Sequence, residues 1–592
     1  MCEYTCMYLK CRKRFKDGKE HRYWSIVESV RTRRSVIKRQ ILYLGEINDS
    51  QQASWCSALE VFDGTAQTLQ QLSLFPDDTT PPPEVINPVK IRLNQMQLHR
   101  PRQWGGCWLM LELWNLLGLD NFWKEPLSQS RKGTQWLNVL KTLVCYRWLD
   151  PGSEWRLHRH WFQNSAMADL LNEDGSAAAV DTLYRCLDLL VEPKKDLFIF
   201  LKKRRQMLFN ASYDVLLCDL TSTYFEADSQ ENDRLKKFGY SRDKRKDCVQ
   251  VVIALIVTPE GFPIAYEVMP GNTSEKTTLP KFLEQIEKQY GKYNRLWIMD
   301  RGIPTEAALA KMRETGANYL VGTPRGRLKK LEKELLEQNW QKVQQHVCVK
   351  LARSEDDLYV LTHSVGRRDK EQAMRKRKLR KLWNRLNELQ GMKRIERDEL
   401  LMKLGDARKE AGKAWGLVEL KIPSPKEKVT AQTFSFKLNR MKLKQARLAE
   451  GTYLLRTNLK DDEPEKLWQQ YILLTEIEQA FKELKSDLTI RPVFHQKDNR
   501  IEAHILIAFL ACCLHVSLKQ KAKQHAPGLT PRAILEKFKT IQMLDVHLPV
   551  TDGRMLIMPR YTYPGRDLQL LLYKLNLRLP SQPPPRIEMP GN

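Results

Sequence analysis

A chain of 592 residues with 42% apolar content and a formal net charge of +27 is long enough for three or four domains with sizeable cores. Its charge excess points to a polyanionic partner, most often nucleic acid. The longest apolar run, Ile505 to Leu514, is too short to span a bilayer, and the polar, basic N-terminus has no signal-peptide apolar region, which argues against a membrane or secreted class. The twelve cysteines are scattered without zinc-knuckle spacing at Cys2, Cys6 and Cys11, and read as free thiols suited to a reducing cytoplasm.

Residues 1–75 read as a small β-rich unit. The runs 23–32 and 35–47 are strand-like and meet at a short turn where Arg31, Arg33, Arg34, Lys38 and Arg39 cluster. Such a hairpin either tracks a phosphate backbone or is a solvated edge. Residues 76–90 are Pro-rich and form a linker. From 91 to 210 the apolar period is helical, in 109–119, 134–149 and 178–191, and the region closes with the basic run 198–209. Aromatic and basic residues interleave at Arg147, Trp148, Trp155, Arg156, His158, Arg159, His160 and Trp161; tryptophans so spaced are first of all core residues.

The pattern changes at 211–324. Residues 214–226 form a strand, and 249–272 two strands joined at Pro259-Glu260-Gly261. A helix (277–290), a short buried strand (295–302), a helix (304–316) and a further strand (317–324) follow, which predicts a mixed sheet with helices packed on it. Residues 325–455 interrupt this unit. Strand character at 348–364 gives way to a highly charged stretch, 367–410, with Leu379, Leu382, Leu386 and Leu389 at coiled-coil spacing and Gly391 placed to break it into an antiparallel pair. Its basic run of Arg375, Lys376, Arg377, Lys378, Arg380 and Lys381 is either a phosphate contact or a solvated face. Residues 432–444 and 451–459 return to strands.

Residues 456–545 are expected as helices. In 468–488 apolar residues recur at three- and four-residue steps, so that Tyr471, Glu478 and Lys485 share one flank of the buried stripe, while Glu476 and Glu483 share the other. A buried helix (501–521) and an amphipathic one (530–544) follow, and 546–592 is a tail whose Pro-rich end, 579–592, is expected to be unstructured.

Two acidic residues stand out by position. Asp219 begins the polar half of its strand and Asp300 ends another, and strand ends in mixed α/β sheets are where sites gather. Two strand-end aspartates with a carboxylate on a following helix, Glu478, would repel one another unless cations neutralise them. Oxygen-only ligands suit Mg²⁺ or Mn²⁺, and two such ions serve phosphodiester chemistry.

The stretches CDLTSTYFE (218–226), GYSRDKRKDCVQVVIAL (239–255), MPGNTSE (269–275), WIMDRG (297–302), YLVGTPRG (319–326) and 471–511 together resemble a DDE transposase of the bacterial insertion-sequence-4 family, in the long-chain subgroup with an N-terminal β-rich region. The resemblance implies an RNase H-like α/β catalytic domain, interrupted by a large α+β insertion between the second and third carboxylates. It implies Asp219, Asp300 and Glu478 as the catalytic and metal-binding triad, holding two Mg²⁺ ions with Mn²⁺ able to substitute. The family's Tyr-x2-Arg-x3-Glu-x6-Lys signature falls on Tyr471, Leu474, Glu478 and Lys485, with Leu474 in place of the family Arg. Tyr471 and Lys485 are thereby expected to hold DNA, with Lys482 a replacement cation. Arg301 and the loop cations Arg242, Lys244, Arg245 and Lys246 are further expected phosphate contacts. The implied activity is cleavage at transposon ends and joining of the freed 3′-hydroxyls to target DNA, by at least a dimer in the synaptic complex, in the bacterial cytoplasm near the nucleoid. The alternative is a weakened or repurposed DNA-binding protein of the same fold, which Leu474 would fit.

Overall fold

The computed structural model describes residues 6–16, 19–31, 36–46, 59–63, 68–72, 91–128, 130, 133–209, 213–225, 234–239, 245, 247–273, 295–300, 305–323, 339–354, 357–392, 395–425, 427–430, 432–460, 463–474, 478, 482, 490 and 493–589. They divide into two compact units. One comprises Met1–Gly106, Asn164–Ala166 and Glu536–Asn592, the other Cys107–Gln163 and Met167–Leu535.

The first unit opens with an antiparallel meander of β1 (Cys6–Lys16), β2 (Lys19–Arg31) and β3 (Val36–Glu46). The last two are the strands expected from sequence. β1 was not expected, because its basic run has no alternating apolar face, and exposed Arg12, Lys13 and Arg14 are the charges that keep an edge strand from pairing further. β4 (Leu59–Asp63) and β5 (Thr68–Leu72) make a short hairpin, and β6 (Gln97–Gln103) precedes the helices.

The second unit holds those helices, Gly105–Leu116 running into it, then Trp136–Leu149, Val180–Leu189 and Lys194–Phe209. Its centre is a nine-stranded sheet. β7 (Val215–Tyr224), β8 (Gln250–Val257) and β9 (Pro263–Pro270) are antiparallel neighbours. β10 (Leu296–Met299) runs parallel to β7, and β11 (Asn318–Thr323) parallel to β10. The spatial order β9-β8-β7-β10-β11, antiparallel on one side of β7 and parallel on the other, is an RNase H-like sheet. Every residue of β8 is buried, as expected of a strand covered on both faces. The predicted helix at 277–290 lies outside the described residues.

The insertion extends the same sheet. β12 (Gln341–Gln344), β13 (Val347–Ser354) and β14 (Asp357–Ser364) form an antiparallel set. Helices Val365–Gly391 and Arg397–Ala411 then form a hairpin, turning where Gly391 was expected to break the pattern. Leu382, Leu386 and Leu389 pack there with Leu400, Leu404 and Phe434 in a separate apolar core. β15 (Val418–Lys421) and β16 (Ser435–Leu438) pair beside it. The stretch 432–444, read as a strand throughout, becomes a helix at Arg440–Ala449. Asn439 caps it, its side chain accepting the Lys442 backbone N–H at 2.8 Å, and the cap ends the period-two alternation of Phe434, Phe436 and Leu438 where β16 stops. β17 (Thr452–Thr457) returns the chain between β14 and β11, antiparallel to both.

Helix Asp498–His525 packs on Trp136–Leu149 and Val180–Leu189. It is long and apolar enough to cross a membrane, but its apolar window is 94% buried inside the protein, which marks a core helix. The expected helix at 530–544 ends at Phe538, and β18 (Gln542–Pro549) follows. β18 lies between β6 and β19 (Met555–Tyr561), and β20 (Arg586–Glu588) adds the last strand. Buried Arg102 on β6 meets Asp545 on β18 at 2.8 Å. The tail read as unstructured is therefore folded. Its prolines supply acceptors, the carbonyls of Pro580 and Pro583 receiving the Tyr561 hydroxyl and the Arg560 guanidinium, while the Gln582 side chain bonds both backbone groups of Tyr561. A proline lacks a donor, not an acceptor.

Candidate active site

Asp219 lies within β7 and Asp300 directly after β10. Parallel pairing sets Ile298 beside Leu217 and Met299 beside Cys218. Asp219 and Asp300 are therefore the next positions in register on neighbouring strands, which in any sheet run about 4.8 Å apart. Leu217, Cys218, Ile298 and Met299 are fully buried, at 0% exposure, so the apolar residues fix the register and the acidic position emerges where β10 stops. Asp300 is exposed. Asp219 is described by its backbone alone, paired on its other side with Leu255 of β8.

The helix expected at 468–488 starts earlier, at Pro464, and is continuous to Ile472. A proline in the first turn removes only an N–H that has no helical partner. Tyr471 is half-buried and stacks on Tyr453 of β17, ring centroids 5.6 Å apart, so its ring is engaged in packing. Leu474 is buried, at 6% exposure. An apolar side chain at this point of the signature therefore follows from its surroundings. Glu478 and Lys482 are helical and exposed, and Glu478 makes no hydrogen bond or ion pair among the described residues. The structure thus puts Asp219 and Asp300 each directly after the last β7–β10 register pair, and shows Glu478 as an exposed residue one turn beyond Leu474. Lys485, Arg301, Arg242, Lys244 and Lys246 lie outside the described residues, as do Glu476 and Glu483. Arg245 is described. It pairs with Asp247 at 2.9 Å and lies over the ring of Tyr224 at the end of β7, so the aspartate already shares its charge.

Two motif glycines have a steric reason. A Cβ on Gly271 would stand 2.0 Å from the Gln250 carbonyl oxygen and 2.3 Å from that of Lys237, and one on Gly239 would stand 2.0 Å from the Gly271 carbonyl oxygen. The backbones pass too closely for any side chain. The Gly271 N–H donates to Leu235, and Lys237 and Gln250 exchange backbone bonds, so the basic loop's base is sewn to the strand ends beside β7.

The chain following the candidate glutamate is anchored at several points. The Val493 N–H donates to Tyr224 of β7, and buried Lys236 donates to the Gln496 side chain at 2.6 Å. His495 bonds Glu154 through Nε2 at 3.2 Å. His504, in the middle of helix Asp498–His525, contacts the Ile490 carbonyl through Nε2 at 3.2 Å and the Arg147 guanidinium through Nδ1 at 3.3 Å. Burial works to raise the Glu154 carboxyl, but the hydrogen bond and charge of His495, with His504 and Arg147, hold it down at about 2. Burial, with Arg147 and His495 adding to it, pushes His504 well below the ordinary histidine range.

Glu154, His495 and His504 bring potential ligand atoms within 4.8 Å of one another. Both ring nitrogens of His504 are nevertheless in use. The tautomer that fits donates from Nε2 to Ile490 and accepts from Arg147 at Nδ1, and the adjacent guanidinium repels a second cation. The cluster is a satisfied buried network rather than a metal centre. Sequence reading passed over it. A histidine inside the apolar run IEAHILIAFLACCL was the available signal, because a buried polar ring needs a partner.

A second network binds the insertion to the catalytic sheet. Arg456 of β17 meets Asp357 of β14 at 2.5 Å and Glu306 at 2.8 Å. The Tyr319 hydroxyl of β11 donates to Asp357 at 2.5 Å, and Arg313 reaches both Tyr319 and Asp357. Glu306 and Arg313 stand on helix Glu306–Glu314, the first described helix after Asp300.

The family described as Transposase DDE domain matches residues 212–514. The family described as IS1634 family transposase, N-terminal domain, matches residues 9–66; it is a different family from the insertion-sequence-4 family that the motifs resemble. No curated protein matches the chain. Among solved structures, the chain is similar to a piggyBac transposase synaptic complex with hairpin DNA, at 10% identity and a TM-score of 0.34, covering 75% of this chain and 82% of that one. It is also similar to a Mos1 transposase paired-end complex with left transposon end, at 12% identity and a TM-score of 0.13, covering 33% of this chain and 60% of that one.

Proposed function

The chain belongs to the transposase DDE domain family, and we propose that it binds the terminal inverted repeats of its own insertion sequence, cleaves the DNA at those ends and joins the freed 3′-hydroxyls to target DNA. The observation that carries the reading is the parallel register of β7 and β10, whose last pair, Met299 with Cys218, immediately precedes Asp300 and Asp219. Glu478, exposed on its helix, is the third carboxylate. Placing the chain in the insertion-sequence-4 family rests on the motifs alone.

Asp219, Asp300 and Glu478 offer only carboxylate oxygens, which fits Mg²⁺, with Mn²⁺ able to replace it. Adjacent carboxylates on neighbouring strands favour such a cation because they otherwise repel each other. When bound, a pair of these ions supplies Lewis-acid activation of the attacking oxygen and stabilisation of the leaving one. The chain's own part is positional. The buried strands fix the register of the residues that immediately precede two of the acids, and the anchors at Tyr224, Lys236 and Glu154 hold the segment that follows the third. Lys482, Lys485, Tyr471, Arg301 and the loop cations Arg242, Lys244, Arg245 and Lys246 are assigned to phosphate contacts near the scissile bond. Synapsis of two ends requires at least two copies. Burial of Leu474 supports reading its departure from the signature as packing rather than as a lost activity.

Purified protein with Mg²⁺ is expected to cleave DNA carrying its own terminal repeats. Asp219→Ala, Asp300→Asn and Glu478→Ala should each abolish cleavage while leaving DNA binding nearly intact. Cleavage that persists in any one of them removes that residue from the triad.

A further inference from the structure

We propose that the exposed face of helix Arg440–Ala449 is a binding surface for the phosphate backbone of duplex DNA, formed by Arg440, Lys444 and Arg447 and lying outside the catalytic sheet. The proposal rests on the reading that the substrate is duplex DNA.

The inserted arm concentrates the charge of the chain. Between residues 365 and 449 there are 25 Lys and Arg against 10 Asp and Glu, a surplus of 15 within the net +27. Much of this charge is neutralised locally. Arg375, one of the run read as either a phosphate contact or a solvated face, meets Glu450 at 2.6 Å, and both side chains are largely buried. Arg367 pairs with Glu371, Arg385 with Glu388, Lys403 with Glu399 and Lys437 with Glu419. Helix Arg440–Ala449 differs. It carries four basic residues and no acidic one. Glu419 is lowered chiefly by its contact with Lys437, with Lys442 adding to it, whereas Arg440, Lys444 and Arg447 are exposed and have no carboxylate partner among the described residues.

Their spacing makes them one feature. At 3.6 residues per turn, positions i, i+4 and i+7 fall within an arc of about 60° and span about 10 Å along the axis. Like charges so placed weaken a helix, so the stripe opposes the stability of the element that carries it. The support is nonetheless firm. Leu443 is buried on the inner side, Asn439 caps the first turn, and beyond the last turn Arg375 holds Glu450 while the Glu371 side chain receives the Gly451 N–H at 3.0 Å. A row of unneutralised cations fixed along one rigid helix is complementary to a regular line of phosphates. Such contacts position a duplex without reading its sequence. The surface would therefore grip flanking or target DNA whatever its base sequence.

The test measures binding of the full-length protein to a duplex of unrelated sequence across a range of salt concentrations, for wild type and for the triple variant Arg440→Gln, Lys444→Gln and Arg447→Gln. Glutamine keeps the helical propensity and removes the charge. If three phosphate contacts are lost, the slope of log affinity against log salt should fall by about 3. A charge-retaining variant, Arg440→Lys with Lys444→Arg and Arg447→Lys, should restore the wild-type slope. Unchanged affinity and slope in a folded triple variant overturn the proposal, and so does an unchanged slope with reduced self-association, which would assign the face to a second copy of the chain. Cleavage of terminal-repeat DNA, assayed alongside with Asp300→Asn as control, keeps the two readings apart: a shallower slope in a chain whose wild type cuts nothing upholds the surface and removes the catalytic reading, whereas normal cutting with an unchanged slope does the reverse.

Discussion

In the catalytic sheet and the helices packed on it, the key cations are buried and shared: Arg456 between Asp357 and Glu306, Arg147 with His504 and Glu154. On the inserted arm, Arg440, Lys444 and Arg447 face solvent with no carboxylate to meet them among the described residues. The contrast follows from dielectric. A buried charge is tolerated only when it is paired and hydrogen-bonded, and once paired it holds segments together. An exposed one is hydrated at little cost and stays available to a ligand. The same residue type thus fastens strands in one region and waits for phosphate in the other.

The largest expected effect lies on the buried side. Glu154→Ala leaves His495 and Arg147 without their anion and should destabilise the chain by about 3–5 kcal/mol, read from denaturant unfolding at pH 7. A loss below about 1 kcal/mol would mean that the network is not held as described. Acid should dismantle the same network in two stages. His504 is buried neutral, so the unfolded chain takes its proton more readily, and stability falls as pH drops below the ordinary histidine value of about 6.5. Glu154 has its folded value depressed to about 2, so its contribution is present above the ordinary carboxyl value of about 4.3 and is lost between there and about 2. Glu154→Gln should remove the lower stage and keep the upper.

Next in size is Leu474→Arg, which restores the family's signature residue at a buried position. Packing a guanidinium there should cost about 2–4 kcal/mol without raising the cleavage rate. A stable variant that cuts faster would show that the position can open toward DNA. Asn439→Ala removes the cap of the basic helix and should cost about 1 kcal/mol, seen as a lower melting temperature. The smallest effect is Arg440→Gln, within about 0.5 kcal/mol of wild type in stability and on the stabilising side if repulsion along the stripe is relieved. A substantial loss of stability there would mean that the arginine has a structural partner, and the two regions would no longer differ in kind.

Much of the catalytic sheet is legible in the sequence. Strands β7 to β11 and helix Glu306–Glu314 come from apolar runs bounded by Gly, Pro and polar turns, all short-range signals. Asp219 and Asp300 stand out because each follows an apolar run, Asp219 opening the polar half of its strand and Asp300 ending another. The reading failed where a local signal was outweighed or absent. Asn439 ends at Leu438 a strand expected to run on to 444, and starts a helix through a single cap. The Pro-rich end, 579–592, is expected from its prolines to be unstructured, yet β20 pairs there with β19, in a sheet whose other edge, β6, lies more than 430 residues earlier in sequence than β18.

Composition and periodicity, being local properties of the chain, determined the surplus of cations, the alternation of strands and helices around the two aspartates, and the helical pattern around Glu478. Pairing across distant segments settled the rest. The register of Met299 against Cys218 puts the residues before the two separate aspartates side by side, the burial of Leu474 explains why no arginine stands there, and the partners of Arg375 and Arg456 separate structural cations from available ones. Such pairings depend on which surfaces are removed from water together, and no window of neighbouring residues contains that information.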